Sequence, residues 1–155
     1  DFYLEDLPEC VRAQAGQAGL ALDLTAQRLP FFAGRATLRQ TVVLPSLGDR
    51  TVLEIQNLRA AVAHVRVNGE HLGALAWPPH RVDVAAALRP GENVVEVELV
   101  GTLRNLLGPH HRAGGDLEWT GPGDFRDKRH WTDDYILVPF GFDGLTLTAY
   151  KRSQL

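Results

Sequence analysis

Residues 61–77 read AVAHVRVNGEHLGALAW, and this stretch decides the fold class. In its first half Ala63, Val65 and Val67 fall on one side of an extended chain, whereas His64 and Arg66 fall on the other. A period of two with one apolar side predicts a strand that turns one face to a hydrophobic core. The stretch therefore begins with a half-buried β-strand.

The second half of the same stretch predicts a return strand. Asn68-Gly69 supplies the two positive-φ residues that a type I′ turn requires. The returning segment ends at Trp77, before Pro78-Pro79, because proline has no N–H to donate to a sheet. Residues 61–77 thus predict a β-hairpin with a tryptophan at its exit.

Short alternating segments recur on both sides of this hairpin, with turn-forming residues between them. Strands are predicted at 20–24, 35–44, 51–57, 80–88, 93–100, 134–139 and 145–150. No alternation of strands with helices is visible, which argues against a doubly wound fold. The pattern favours an all-β antiparallel sandwich or barrel.

Two segments depart from this rhythm. Residues 1–19 have no clear period and are predicted to be a lead-in segment laid across a domain that spans 20–155. Residues 101–132 form one long irregular loop, rich in glycine, histidine and tryptophan. Loops of this length in a compact domain tend to be functional or to pack on a partner.

The composition excludes several classes of function. With 155 residues, a hydrophobic content of 45% and a net charge of −3, the chain resembles one ordinary globular domain. It lacks the basic balance of a nucleic-acid-binding protein and any apolar run of the roughly 20 residues that a membrane span needs. The single cysteine, Cys10, excludes an internal disulfide. Because the chain starts at Asp1 and contains no methionine, we expect it to be a fragment of a longer polypeptide, and its compartment stays open.

Several motifs resemble the galactose-binding-like β-sandwich. They are VRVNGEHLG at 65–73, RVDV at 81–84 and RPGENVVEV at 89–97. The sequence is most similar to the sugar-binding-like domains of glycoside hydrolase family 2 and of related large bacterial glycosidases. TLRNLLGPHH at 102–111 and DDYILVPFG at 133–141 look like a C-terminal accessory version of that domain, and the resemblance covers roughly 35–150.

The resemblance implies a jelly-roll β-sandwich, but it leaves two functions open. One is a carbohydrate-binding accessory domain, and the other is a structural domain that packs on the catalytic domain of its parent chain with no sugar affinity of its own. The Asn-Gly and Gly-Glu-Asn turns serve the architecture in either case. A glycosidase as parent, a carbohydrate or a catalytic domain as partner, and no nucleic acid or membrane are what we expect.

A sugar site needs aromatic rings to stack on a pyranose and polar groups to bond its hydroxyls. The residues that satisfy this description are Trp77, His80, Arg81, Arg104, Asn105, His110, His111, Trp119 and Trp131, with Tyr135 as a further ring. Each has a structural alternative. The tryptophans can cap the core or contact a neighbouring domain, and the polar cluster at 104–111 can anchor the long loop or dock on the catalytic domain.

Catalysis and metal binding are weakly indicated. Glycoside hydrolysis needs two carboxyls flanking one bond, and nothing in the sequence marks Glu118, Asp133 or Asp134 as such a pair. Adjacent His110 and His111 on an irregular segment point apart, so we predict no metal ligands among them. Structural calcium recurs in the resembled class, and its candidate donors here are Asp124, Asp127, Asp133 and Asp134, but no twelve-residue calcium loop is present. We therefore expect a non-catalytic domain without a cofactor.

Overall fold

The structure is a computed structural model that describes residues 21–115, 121–123, 125 and 128–150, and the backbone of residues 2–4. The strands are β1 Phe2–Leu4, β2 Leu22–Asp23, β3 Arg35–Leu44, β4 Arg50–Gln56, β5 Val62–Val67, β6 Glu70–Leu75, β7 Arg81–Asp83, β8 Gly91–Val100, β9 Gly141–Phe142 and β10 Gly144–Tyr150. One short helix, α1 Arg104–Leu107, and 3-10 turns at Ala85–Ala87 and Lys128–His130 complete the described elements. The prediction of a β-rich antiparallel fold is confirmed, since the described residues are mostly β with almost no helix.

The strands form three antiparallel sheets. The largest has the order β1-β3-β8-β5-β6, the second has the order β10-β4-β7, and β2 pairs with β9. Strand β1, from the predicted lead-in segment, is an edge strand of the largest sheet and pairs with β3, with Phe2 opposite Leu38. Among the described residues we find no helix with the length and hydropathy of a membrane span.

One hydrophobic core receives side chains from all three sheets. The alternation that predicted the hairpin is confirmed, since Ala63, Val65 and Val67 of β5 are fully buried. The other strands contribute Leu22, Ala36, Leu38, Leu53, Ile55, Val95, Val97, Leu99 and Phe142 to the same cluster. The core therefore unites strands from distant parts of the chain.

The turn of the central hairpin has the predicted geometry. Asn68 has a φ of 52° and Gly69 a φ of 85°, as a type I′ turn requires. The Asn68 side chain also contacts strand β8. Its Nδ2 donates to Asn93 Oδ1 at 2.9 Å, and its Oδ1 accepts from the Val94 N–H at 2.9 Å. The turn is thus bound to the start of β8.

Asn93 is the centre of this contact, and we call the pair Asn68 and Asn93 the asparagine hub. Asn93 is fully buried, and its Oδ1 accepts from the Arg89 N–H at 2.9 Å as well as from Asn68. Its Nδ2 donates to the Arg89 carbonyl at 2.7 Å and the Gly91 carbonyl at 3.0 Å. Because its donor and acceptor groups are both used within the protein, the hub serves the fold and leaves nothing for a ligand.

The strand predictions are confirmed where the alternation is long. Strands β3, β4, β8 and β10 lie at the predicted positions within one or two residues. The segments predicted at 20–24 and 80–88 are shorter, as β2 and β7. Both strands end in an aspartate whose Oδ1 accepts a backbone N–H two residues on, Thr25 for Asp23 and Ala85 for Asp83. Such turns end a strand by bonding the backbone locally.

The prediction of a strand at 134–139 is wrong. This segment is irregular, and its backbone bonds go to the loop instead of to a neighbouring strand. The Ile136 N–H donates to the His110 carbonyl at 2.6 Å, and the Val138 N–H donates to Asn105 Oδ1 at 2.9 Å. These backbone N–H groups are thus satisfied by the loop and not by a neighbouring strand.

Candidate functional site

Five aromatic and imidazole rings meet where the long loop returns to the sheets. We call them the ring cluster: Phe31, His110, His111, Trp131 and Tyr135. The His111 ring lies stacked on Trp131, with centroids 4.6 Å apart and planes at 24°, and its centroid is 4.7 Å from that of Tyr135. Phe31 contacts Tyr135 and His110 edge to face at 5.6 and 5.8 Å.

The ring cluster is open to solvent. Phe31, Trp131 and Tyr135 are 42%, 51% and 57% exposed. Aromatic rings of this size are normally far more buried, because each removes a large apolar area from water. A cluster of half-exposed rings is therefore a surface that can pack on an apolar face of something else.

Helix α1 fixes one side of this cluster through a buried asparagine. Asn105 is 4% exposed, and its Nδ2 donates to the Val138 carbonyl at 2.7 Å while its Oδ1 accepts from the Val138 N–H. The Asn105 carbonyl lies 2.7 Å from His110 Nε2, and Arg104 Nη2 donates to the Ile136 carbonyl at 3.4 Å. These bonds hold His110 and the segment that bears Tyr135 in one arrangement.

The other side of the cluster is fixed by a narrow neck in the long loop. Arg112 and Trp131 form an isolated antiparallel bridge. Next to it, the Thr132 N–H donates to the His111 carbonyl at 2.9 Å, and His111 Nδ1 lies 3.1 Å from the Thr132 carbonyl. We call this pairing the loop neck, and it places His111 over Trp131.

The polar groups at the edge of the rings are of a kind that bonds hydroxyls. Trp131 Nε1 donates to Asp133 Oδ1 at 3.1 Å, so an exposed carboxylate lies beside the indole. An exposed aromatic ring with a carboxylate beside it can stack on a sugar ring and bond the hydroxyls around it.

The structure brings some predicted site residues together and separates others. Arg104, Asn105, His110, His111 and Trp131 lie in or directly behind the ring cluster. Trp77, His80 and Arg81 lie instead on the connection from β6 to β7 and at the start of β7. Trp119 lies outside the described residues.

The two groups also differ in their surroundings. Trp77 is 83% exposed, and His80 lines a shallow depression of about 570 Å³ with Pro78 and Pro79. Arg81 pairs with Glu54 across the sheet, with Nη2 and Oε1 3.0 Å apart. These residues form a different part of the surface from the ring cluster.

Phe31 is the member of the cluster that the sequence did not indicate as a site residue. It lies on an aromatic bend, LPFFAG at 29–34, far from the long loop in sequence. The available signal was an unbroken Phe-Phe pair between strands, where one ring faces the core and the other faces outward. Phe32 is half-buried against the core and Phe31 is exposed, in agreement with that division.

The described residues contain no group of three or more histidine, cysteine, aspartate or glutamate side chains placed to hold a metal ion. Of the predicted calcium donors, Asp133 accepts the bond from Trp131, and Asp124 and Asp127 lie outside the described residues. The described site is built from rings and hydrogen-bonding groups.

Among the residues that the structure describes, one carboxyl has a clearly shifted pKa, and it lies in the turn between β9 and β10. Asn57 Nδ2 donates to Asp143 Oδ2 at 2.9 Å, and the Arg59 guanidinium donates to Asp143 Oδ1. These hydrogen bonds, the one from Asn57 first, lower the pKa of Asp143 below its ordinary value. The contact ties the connection after β4 to the β9–β10 turn and has a structural role.

A patch of exposed leucines borders the cluster on helix α1. Leu103, Leu106 and Leu107 are 57%, 50% and 63% exposed. They directly precede and follow Arg104 and Asn105, which face the segment at 136–138. The helix therefore turns its polar residues inward and its leucines to solvent, which is typical of a surface that contacts another apolar surface.

No family model matches the sequence, and a search of curated proteins gave no match. Solved structures do match. A rhamnosidase from Novosphingobium sp. PP1Y is 25% identical over 76% of this chain, with a TM-score of 0.55. A β-glucuronidase from Faecalibacterium prausnitzii is 20% identical over 92% of this chain, with a TM-score of 0.50.

The matches cover a small part of each enzyme. The chain spans 11% of the length of the rhamnosidase and 27% of that of the β-glucuronidase. The resemblance that the sequence motifs indicated is thus confirmed in structure: this chain has the fold of a small portion of large glycosidases.

Proposed function

We propose that this chain is a non-catalytic accessory domain of a glycoside-hydrolase-like protein and that it binds carbohydrate through the ring cluster. The observation that carries the proposal is the exposure of three aromatic rings, Phe31, Trp131 and Tyr135, held in place by buried hydrogen bonds. A pre-formed aromatic surface binds a sugar without first losing the conformational entropy of its side chains.

The domain plan is part of the same proposal. The two larger sheets send their apolar side chains into one core, which supports a β-sandwich of jelly-roll type over residues 20–155. Residues 1–19 are the lead-in segment, and the pairing of β1 with β3 supports a course across the domain.

The absence of a catalytic role is also proposed. The carboxylates nearest in sequence to the cluster, Asp133 and Asp134, are exposed, and Asp133 bonds the indole N–H of Trp131. A glycosidase acid needs an environment that keeps it protonated and a second carboxyl about 5–9.5 Å away. Glu118, the other candidate, lies outside the described residues.

The test is a titration of the folded chain with mono- and oligosaccharides, followed by tryptophan fluorescence, with and without calcium. We expect a saturable change with one class of sugar, lost in Trp131→Ala and retained in Trp77→Ala. Trp77 is the matched control because it is an exposed tryptophan outside the ring cluster. Loss in Trp77→Ala alone would place the sugar on the β6–β7 connection and contradict the ring cluster as the site.

The second candidate function is a structural domain that packs on the catalytic domain of the parent chain. It is favoured by the leucine patch, because Leu103, Leu106 and Leu107 offer apolar area and no hydrogen-bonding groups. A flat titration across the whole sugar panel, from protein shown to be folded, would support this function over carbohydrate binding.

A further inference from the structure

A second cleft lies on the face of the three-stranded sheet that is turned away from the core. We call it the sheet cleft, and its volume is about 210 Å³. Its lining includes Arg50, Val52, Glu54, Arg81, Asp83 and Tyr150, which come from all three strands β4, β7 and β10. None of the ring cluster lines it.

Val52 lies buried beneath the polar side chains that line the cleft. Val52 is 8% exposed, yet Leu53 and Ile55 of the same strand point to the core, so Val52 faces the other way. Its cross-strand neighbours are Asp83 on β7 and Thr148 on β10. A valine on an outer sheet face is covered here by the polar side chains around it.

Two ion pairs form the walls. Arg50 Nε lies 3.2 Å from Asp83 Oδ2, and Arg81 Nη2 lies 3.0 Å from Glu54 Oε1. Arg50 and Glu54 stand two residues to either side of Val52, so the pairs flank this valine at both ends. Tyr150 lies opposite Arg50 in the register and is 52% exposed, which leaves its ring available for stacking.

The chemistry of this lining selects a class of ligand. Two arginines and two carboxylates give the walls no net charge, so neither an anion nor a cation is favoured. Guanidinium groups donate only and carboxylates accept only, and a sugar hydroxyl does both. Adjacent hydroxyls of a pyranose can therefore bond one arginine–carboxylate pair, while the apolar face of the sugar ring packs on the exposed ring of Tyr150.

We propose that the sheet cleft is a second carbohydrate-binding site, which takes a short segment of a neutral glycan. Its volume is below the range of about 300–1,000 Å³ typical of drug-sized ligands, which fits one or two sugar residues. The inference goes beyond the proposed function, because this site shares no residue with the ring cluster and stands without it. Arg81, which the sequence had already indicated as a sugar contact, belongs here.

The experiment is an NMR titration of the isotope-labelled chain with cellohexaose, xylohexaose, mannohexaose and maltohexaose, and with an oligogalacturonide as the acidic probe. We expect one neutral probe to shift the backbone amides of residues 50–54 and 81–83 in a saturable way. Tyr150→Ala and Arg81→Gln should each weaken this binding by about tenfold, as loss of a central contact does.

The control variants separate this site from the ring cluster. Arg39→Gln removes an arginine of matched exposure, 52% against 55%, from an ion pair with Glu96 on the other large sheet, and it should leave binding unchanged. Trp131→Ala should leave the shifts at residues 50–54 unchanged. Exposed ion pairs stabilise a fold very little, so Arg81→Gln should remain folded. Tyr150→Ala should also remain folded, because Tyr150 is half exposed.

Three outcomes overturn the proposal. Shifts confined to the ring cluster and abolished by Trp131→Ala contradict the sheet cleft while supporting the proposed function. Preference for the oligogalacturonide contradicts the neutral-glycan class. No saturable shift at residues 50–54 or 81–83 with any probe, from folded protein, rejects the site whatever happens at the ring cluster.

Discussion

The asparagine hub and the ring cluster both join distant segments through side chains, but they differ in their exposure to solvent. Asn93 is fully buried, and its donors and acceptor are used by Asn68, Arg89 and Gly91. The ring cluster is anchored by equally short bonds behind it, yet its front is half exposed. Polar residues at turns thus need separate interpretation: those that are saturated inside the protein hold the fold, and those that support an open surface prepare it for a partner.

The largest effect is expected from Asn93→Ala. The change leaves the Arg89 N–H, two backbone carbonyls and the Asn68 amide without their buried partner. We expect the free energy of unfolding to fall by about 3 kcal/mol, with sugar binding unchanged at temperatures where the variant is folded.

Urea unfolding measures this difference, and Glu92→Ala is the control. Glu92 is the exposed neighbour of Asn93 on the same strand, and its truncation should change stability by no more than about 0.5 kcal/mol. Equal effects of the two variants would remove the distinction between a saturated hub and an ordinary surface.

Asn105→Ala tests whether the ring cluster depends on its buried anchor. The variant removes both bonds to Val138, so we expect a loss of about 2 kcal/mol in unfolding free energy. In contrast to Asn93→Ala, it should also shift the ring resonances of His110 and His111 in the NMR spectrum. A stability loss without those shifts would show that the cluster is positioned by other contacts.

His111→Ala tests the open side. Removal of the ring that stacks on Trp131 at 4.6 Å frees a second indole face, so quenching of Trp131 fluorescence by acrylamide should increase. The Trp131→Ala variant supplies the background of the other two tryptophans. Because the cluster is half exposed, the unfolding free energy should fall by only about 1 kcal/mol. Unchanged quenching would mean that His111 does not shield the indole.

The smallest effect on stability is expected at Asp143, an exposed polar contact that belongs to neither the asparagine hub nor the ring cluster. The hydrogen bonds from Asn57 and Arg59 lower the pKa of Asp143 below 3.8 in the folded state. Asp143 therefore stabilises the fold fully above that value, and this contribution is lost as the pH falls through the lower folded pKa. The difference in stability between the wild type and Asp143→Asn should be constant near neutral pH and shrink in acid.

Chemical denaturation of both proteins across the acid pH range tests this prediction. Salt should weaken the difference at neutral pH, because exposed pairs are screened. A difference that grows on acidification would contradict the lowered pKa of Asp143.

The parts of the fold that sequence predicts well are those whose pattern is local. The alternation in β3, β5 and β8 and the Asn68-Gly69 turn need no knowledge of the partner strand, and the structure has them where predicted. Residues 134–139 also alternate, but their backbone is bonded by Asn105 and His110, some thirty residues earlier. Local periodicity cannot distinguish a strand from an extended segment whose partners are side chains.

The candidate site shows the same difference between what a local pattern predicts and what non-local contacts decide. His110, His111, Trp131 and Tyr135 were identified as suitable chemistry, and the loop neck that brings them together is a non-local contact. Phe31 enters the cluster from an earlier connection, and no spacing in the sequence links it to the loop. Residue types could be predicted, whereas their assembly depends on tertiary pairing.

The loop neck has a consequence for how such a domain can diversify. Its paired backbone bonds at His111 and Thr132 close the chain at the base of the loop. Doubling the length of a closed loop costs only about 0.6 kcal/mol in chain entropy. A change in loop length between residues 115 and 128 therefore costs the domain little chain entropy, and the loop can vary in length during evolution while the neck and the rings that it positions are inherited.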